Sequence, residues 1–292
     1  MFYSYGISVK GADHIREETV CQDANKIVKC SEGMVLAAVA DGLGSEKYSD
    51  RASMKAVETA TTYCAGHIKE DDTEEAILDG IRQAFIQSRT EIESMARDQG
   101  NEIDQYDTTL TLAVLIGDCL YYGHCGDSGI IALERTGLYS RVTEQQRDDY
   151  GRVFPLCFED HWTISRYSEP VGSVLLATDG MLDTFFPVWI RNESVNIHVS
   201  QARFFMDPER LRIEKMNEEE TTERMRNILE SIDPETVGDD KTVAVVINMD
   251  IICEKQPDNY YKEPDWTELK RRFNEEWRKA AYPGLYPPKT DK

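Results

Sequence analysis

The stretch that decides the fold is Met34–Ser45, MVLAAVADGLGS. The unbroken apolar run from Met34 to Ala40 predicts a buried strand. It stops at Asp41-Gly42-Leu43-Gly44. A carboxylate at the end of a buried strand does little for stability, but it can face a cation. Gly42 and Gly44 carry no Cβ, so backbone can come close to a ligand there. The same residues also fit a plain turn, in which Asp and Gly are common. Recurrence argues for the first reading. Val174–Thr178 runs into Asp179-Gly180, and Asp239-Asp240 opens another apolar stretch.

Working outward, the spacing predicts strands over Phe2–Val9, Asn25–Cys30, Thr109–Ile116, Cys119–Cys125, Gly129–Glu134, Leu138–Val142, Val174–Ala177 and Lys241–Met249. Gly117-Asp118 has the composition of a two-residue hairpin turn. A helix is expected over Ser49–Ile68, with Ala52, Ala56, Ala60, Tyr63 and His67 on one stripe. A second, over Thr73–Arg97, has Ile77, Ile81, Ala84, Phe85, Ile92 and Met95 on its stripe. Arg141–Pro170 is rich in turn residues and reads as a flap. Asp183–Glu235 is polar, with its clearest helix at Thr221–Ile232. Runs of strands interrupted by paired helices point to an α+β fold of two stacked antiparallel sheets with helices outside. One domain is expected over residues 1–250. Residues 251–292 form an extension. There Asp265 caps a helix with Trp266, Leu269, Phe273, Trp277 and Ala280 along one side, and a proline-rich end follows. That helix either packs on its own domain or docks a partner.

The chain has 292 residues, with 33 Lys+Arg against 54 Asp+Glu, a formal charge of −21. Such a surface excludes nucleic acid and anionic membranes as partners. An anionic substrate would need a local reversal of field, which a divalent cation provides. The seven cysteines are odd in number and contain no Cys-x-x-Cys. Free thiols in a cytoplasmic setting are therefore expected, not a disulfide frame or zinc knot. The start, MFYSYGISVKG, has no secretory pattern.

Five aspartates at strand ends carry the chemistry: Asp23, Asp41, Asp127, Asp179 and Asp239. Few basic residues stand near them in sequence. If they converge, their repulsion raises pKa values, and oxygen-liking Mg²⁺ or Mn²⁺ relieves it. Two such ions lower the pKa of a shared water and polarise a phosphoryl group. The chain has no phosphate-binding P-loop, dinucleotide fingerprint or nucleophile elbow.

The ordered set Cys21-Gln22-Asp23-Ala24, Ala40-Asp41-Gly42-x-Gly44, Asp107-Thr108-Thr109-Leu110, Gly126-Asp127-Ser128, Ala177-Thr178-Asp179-Gly180 and Asp239-Asp240-Lys241-Thr242 resembles the metal-dependent type 2C serine/threonine protein phosphatases. The resemblance spans about Tyr5 to Asn248. It is closest to the bacterial branch with a His in the first loop, here Gly11-Ala12-Asp13-His14-Ile15-Arg16.

The resemblance implies an αββα sandwich with two Mn²⁺ or Mg²⁺ ions between the sheets, and a third, weaker divalent ion. It makes Asp41 the bridging ligand and gives one ion the Gly42 carbonyl. Asp179 and Asp239 ligate one side, Asp23 supports the other ion, and Asp127 belongs to the third site. A metal-bridging hydroxide would attack phosphorus in line. The substrate would be a phosphoprotein, opposed by a Ser/Thr kinase.

The chain departs from the family at several positions. Leu43 stands where many members have a candidate general acid His, and Glu18 where many have a phosphate-gripping Arg. A metal-bound water or His14 is the candidate for the first role, and Arg16 or His14 for the second. Asp240 replaces the usual Asn, and Gly129 the usual Arg after Gly-Asp-Ser. The departures keep two rivals open: a non-catalytic module on the same fold, and a small-molecule phosphohydrolase.

Overall fold

A computed structural model describes residues 1–191 and 193–282. The proline-rich end, residues 283–292, lies outside the described residues. In chain order the elements are β1 (Phe2–Val9), α1 (Ala12–Arg16), β2 (Asp23–Lys29), β3 (Met34–Asp41), α2 (Ser49–His67), α3 (Glu74–Asp98), β4 (Leu110–Ile116), β5 (Cys119–Cys125), β6 (Gly129–Glu134), β7 (Tyr139–Arg141), β8 (Thr163–Arg166), β9 (Val171–Ala177), α4 (Asp179–Phe185), α5 (Val199–Met206), α6 (Pro208–Leu211), α7 (Glu218–Glu230), β10 (Lys241–Asn248) and α8 (Trp266–Ala281).

They form two antiparallel five-stranded sheets, ordered β1-β10-β9-β6-β7 and β2-β3-β4-β5-β8. The fold is the expected α+β sandwich. Its central strands β3, β4, β9 and β10 are almost wholly apolar because both of their faces are buried. In β3, Val35, Ala37 and Val39 pack towards the other sheet with Ala113, Ile130, Leu176 and Val246. Leu36, Ala38 and Ala40 pack the opposite way, against Ala52, Ala56 and Phe85 of the α2–α3 pair. On the far side, Val243, Val245 and Ile247 of β10 meet Phe185, Phe205, Met225 and Leu229 from α4, α5 and α7.

Three local differences have physical reasons. The segment read as a flap contains β8, which pairs with β5 at the sheet edge, and Trp162, which buries its ring against Phe85 at 5.4 Å. The late helix begins at Glu218 because Asn217 and Glu220 form a reciprocal capping box. The stripe on α8 is buried only at its start: Leu269 is 9% exposed but Trp277 57%. Among the described residues no helix is long and apolar enough to cross a membrane.

Candidate metal centre

Strand register brings the acids to one end of the sandwich. Asp23 opens β2 and lies opposite Asp41, the last residue of β3. At the same end, β5 finishes at Cys125 just before Asp127, and β9 delivers Asp179 as the first residue of α4. Asp239 lies two residues before β10, whose Val243 is paired to Ala177 of β9. Asp41, Asp127 and Asp179 each offer a carboxylate oxygen, and these oxygens lie within 4.8 Å of one another.

The turn after Asp41 is fixed by its backbone. The Asp41 carbonyl accepts from Thr109 N at 2.8 Å and from Thr108 Oγ1 at 2.9 Å. Gly42 N donates to the Gln22 carbonyl at 3.1 Å. A Cβ on Gly42 would stand 2.5 Å from the Ser49 carbonyl at the start of α2, so only glycine fits. Gly180 is constrained likewise, since a Cβ there would meet the Asp240 carbonyl at 2.2 Å.

The carboxylates have few compensating partners. Burial first, and then the neighbouring acids, hold the Asp41 carboxyl well above its ordinary range. Asp23 is raised in the same way, by burial above all, although Thr178 Oγ1 donates to its Oδ2 at 2.7 Å. Asp127, 2% exposed, is pushed up to about 7 by burial and by Asp179. Its Oδ1 is buried with no hydrogen-bond partner. Asp239 is raised by burial and by Asp179. Buried, mutually repelling, oxygen-only groups with an orphaned acceptor are the donor set that a hard divalent cation satisfies.

The remaining residues flagged in the sequence fall differently. Asp240 ties the first loop down. Its oxygens accept from Gly11 N at 2.6 Å and from Gln22 N at 2.7 Å. His14 is held beside it, with Nδ1 2.9 Å from Asp240 Oδ1. Arg16 is solvent-facing and paired with Asp13 at 2.9 Å. His124 is a core residue between Thr111 and the Glu144 carbonyl, and burial lowers its pKa to about 4. Burial likewise pushes the Cys21 thiol up, which keeps it protonated.

One side chain at the acidic end was not found from sequence. Arg147 Nη2 lies 2.5 Å from Asp127 Oδ2 and 3.1 Å from Asp179 Oδ2. Its only sequence signal was a lone cation within the turn-rich run Glu144-Gln145-Gln146-Arg147-Asp148.

A family model, protein phosphatase 2C, matches residues 10–230. The chain belongs to the protein phosphatase 2C family. It is therefore a hydrolase of the metal-dependent phosphatase class. No curated protein matches it in sequence. Solved structures do match in shape. A bacterial serine phosphatase is 14% identical at a TM-score of 0.55, over 88% of this chain and 100% of that one. The S. agalactiae serine/threonine phosphatase is 15% identical at a TM-score of 0.58, covering 85% and 99%. The catalytic domain of the serine/threonine protein phosphatase PstP, solved with two manganese ions, is 19% identical at a TM-score of 0.55, covering 84% and 97%. At such identities the likeness concerns the fold alone.

Proposed function

We propose that this protein hydrolyses phosphoserine and phosphothreonine in proteins, with two Mn²⁺ or Mg²⁺ ions held by Asp23, Asp41, the Gly42 carbonyl, Asp179 and Asp239. Asp127 serves a third, weaker site. The observation that carries the reading is the convergence of Asp41, Asp127 and Asp179 within 4.8 Å at one end of a phosphatase-family sandwich. The two manganese ions of the PstP structure support it.

Bound divalent ions supply positive charge that lowers the pKa of a nearby water and draws charge from the phosphoryl oxygens. The chain's own residues prepare that event. Asp41, the last residue of β3, would hold a cation, whose charge would offset the repulsion from neighbouring acids that helps to raise its pKa. Thr178 fixes the rotamer of Asp23. Asp240 anchors the loop that carries His14. His14, whose Nδ1 lies 2.9 Å from Asp240 Oδ1, is the proposed donor of a proton to the departing serine or threonine oxygen. Arg16 would have to exchange Asp13 for a phosphate to serve as its grip. Arg147 already lies at the acidic end and is the better placed cation. We assign the catalytic unit to residues 1–250 and the extension to 251–292. The seven free cysteines suit a reducing cytoplasm, where a Ser/Thr kinase would supply the substrate.

The test is hydrolysis of p-nitrophenyl phosphate and of a phosphothreonine peptide, with Mn²⁺ and with chelator, alongside Asp41→Ala. Manganese-dependent turnover of both substrates that is lost in the variant is expected. Turnover of the small ester alone would point to a small-molecule phosphohydrolase. No turnover by the folded protein with any divalent ion would leave a binding module.

A further inference from the structure

Beside the acidic centre lies a cavity of about 600 Å³. One end is bounded by Asp179, Gly180 and Asp239, and the other by Val188, Trp189 and Trp266. The second wall includes the C-terminal extension, which lies beyond the residues that match the family model. It is firmly fixed. Asp265 caps α8 by accepting from Glu268 N at 3.0 Å. Glu263 gathers Ser200 Oγ at 2.5 Å, His198 Nε2 at 3.0 Å and Trp266 Nε1 at 3.2 Å. The Trp266 ring meets His198 at 4.7 Å and Trp189 edge-on at 6.5 Å. Leu269 is buried beneath, and Arg272 pairs with Glu193.

We propose that this cavity is a subsite for the phosphoprotein substrate, taking a large apolar side chain close in sequence to the phosphorylated residue. The proposal rests on the phosphatase reading above. Three observations select the occupant. The cavity borders the acidic end, so a chain whose phosphate reaches the cations that Asp179 and Asp239 would hold lays its neighbours over it, at ~3.3 Å per residue. Its far wall is indole and valine, which reward apolar contact. The charges weigh against an acidic occupant. Asp183 on the rim and the overall charge of −21 repel acidic neighbours. The face of Trp189 that would attract a basic side chain is already covered by Lys270, whose Nζ is 4.1 Å from the ring.

The test uses the full chain with Mn²⁺ and phosphothreonine peptides otherwise built of Gly and Ser. A single Leu is walked through the ~3 positions on either side of the phosphoresidue. Calorimetry on non-hydrolysable phosphonate versions gives Kd, and kcat/KM is read relative to p-nitrophenyl phosphate. At one position Leu should tighten binding about tenfold over Gly. Trp266→Ala and Val188→Asp should each erase that preference. A ratio between peptides is insensitive to partial loss of folded enzyme. Normal turnover with equal binding of all peptides would overturn the subsite while leaving the phosphatase reading intact. So would a preference that survives both variants, or a self-associating protein dispersed by Val188→Asp. Leu-dependent binding without any turnover would keep the subsite and overturn hydrolysis.

Discussion

The middle of β3 and its end obey opposite rules. From Val35 to Ala40 every side chain is fully buried among apolar neighbours, on one face against the second sheet and on the other against α2. One residue later comes Asp41, whose carboxyl is kept above its ordinary pKa by burial and by neighbouring acids. The middle of the strand supplies stability. The end gives some of it up to keep a charged, cation-ready site, as proteins do where function conflicts with folding.

Paired substitutions can break that contrast. The largest effect is expected at the end. Asp41→Asn should lower manganese-dependent turnover by about 10³-fold or more, yet raise the melting temperature measured in chelator, because one repelling carboxylate is gone. In the middle, Leu36→Ala should cost about 2–5 kcal/mol in chemical denaturation, with the folded fraction keeping its metal dependence. If Asp41→Asn destabilised the metal-free protein, the idea of a strained acidic end would fail.

Acidity sharpens the same contrast. Asp127 titrates near 7 in the folded protein against 3.8 ordinarily, chiefly through burial, and Asp23 and Asp41 are raised with it. Between about pH 4 and 7 the native state therefore holds more protons than the unfolded chain. Metal-free stability should be greatest at the acidic side of that window and fall as pH rises through it, by several degrees in melting temperature. Saturating Mn²⁺ should flatten the profile, since bound cation replaces bound protons. Melting curves at stepped pH, with chelator and with Mn²⁺, check this.

The smallest effect is expected at Arg147, whose guanidinium sits between Asp127 and Asp179. Arg147→Gln should tighten Mn²⁺ binding at the weaker site about three- to tenfold, because a competing positive charge is removed, while raising KM for phosphopeptide. Weakened Mn²⁺ binding in calorimetry would show that Arg147 orders the site instead of competing for it.

Much of the sandwich was legible because both faces of its strands are buried, so runs such as Met34–Ala40 and Val174–Ala177 stand out without alternation. Helices α2 and α3 were legible because each has one clean apolar stripe against a single sheet. Strand β8 was not. It is four residues long, lies at an edge and is largely exposed, which leaves no pattern to read. Helices α5 and α6 are short and depend on contacts with β9, β10 and each other, so local propensity gives little warning of them. At the site, the aspartates could be found because each follows or precedes an apolar strand beside small residues. Arg147 could not, since what matters is a contact with residues 20 and 32 positions away. Trp189 and Trp266 meet only because the extension folds back beside α5, and nothing local to either announces the cavity between them.

The most direct measurement is a calorimetric titration of metal-free protein with Mn²⁺ near neutral pH, run on the wild type and on Asp41→Asn. The account predicts saturable binding of two ions to the wild type with release of protons to the buffer, and loss of tight binding in the variant. Absence of saturable binding to folded wild-type protein, or binding indifferent to Asp41, would contradict it.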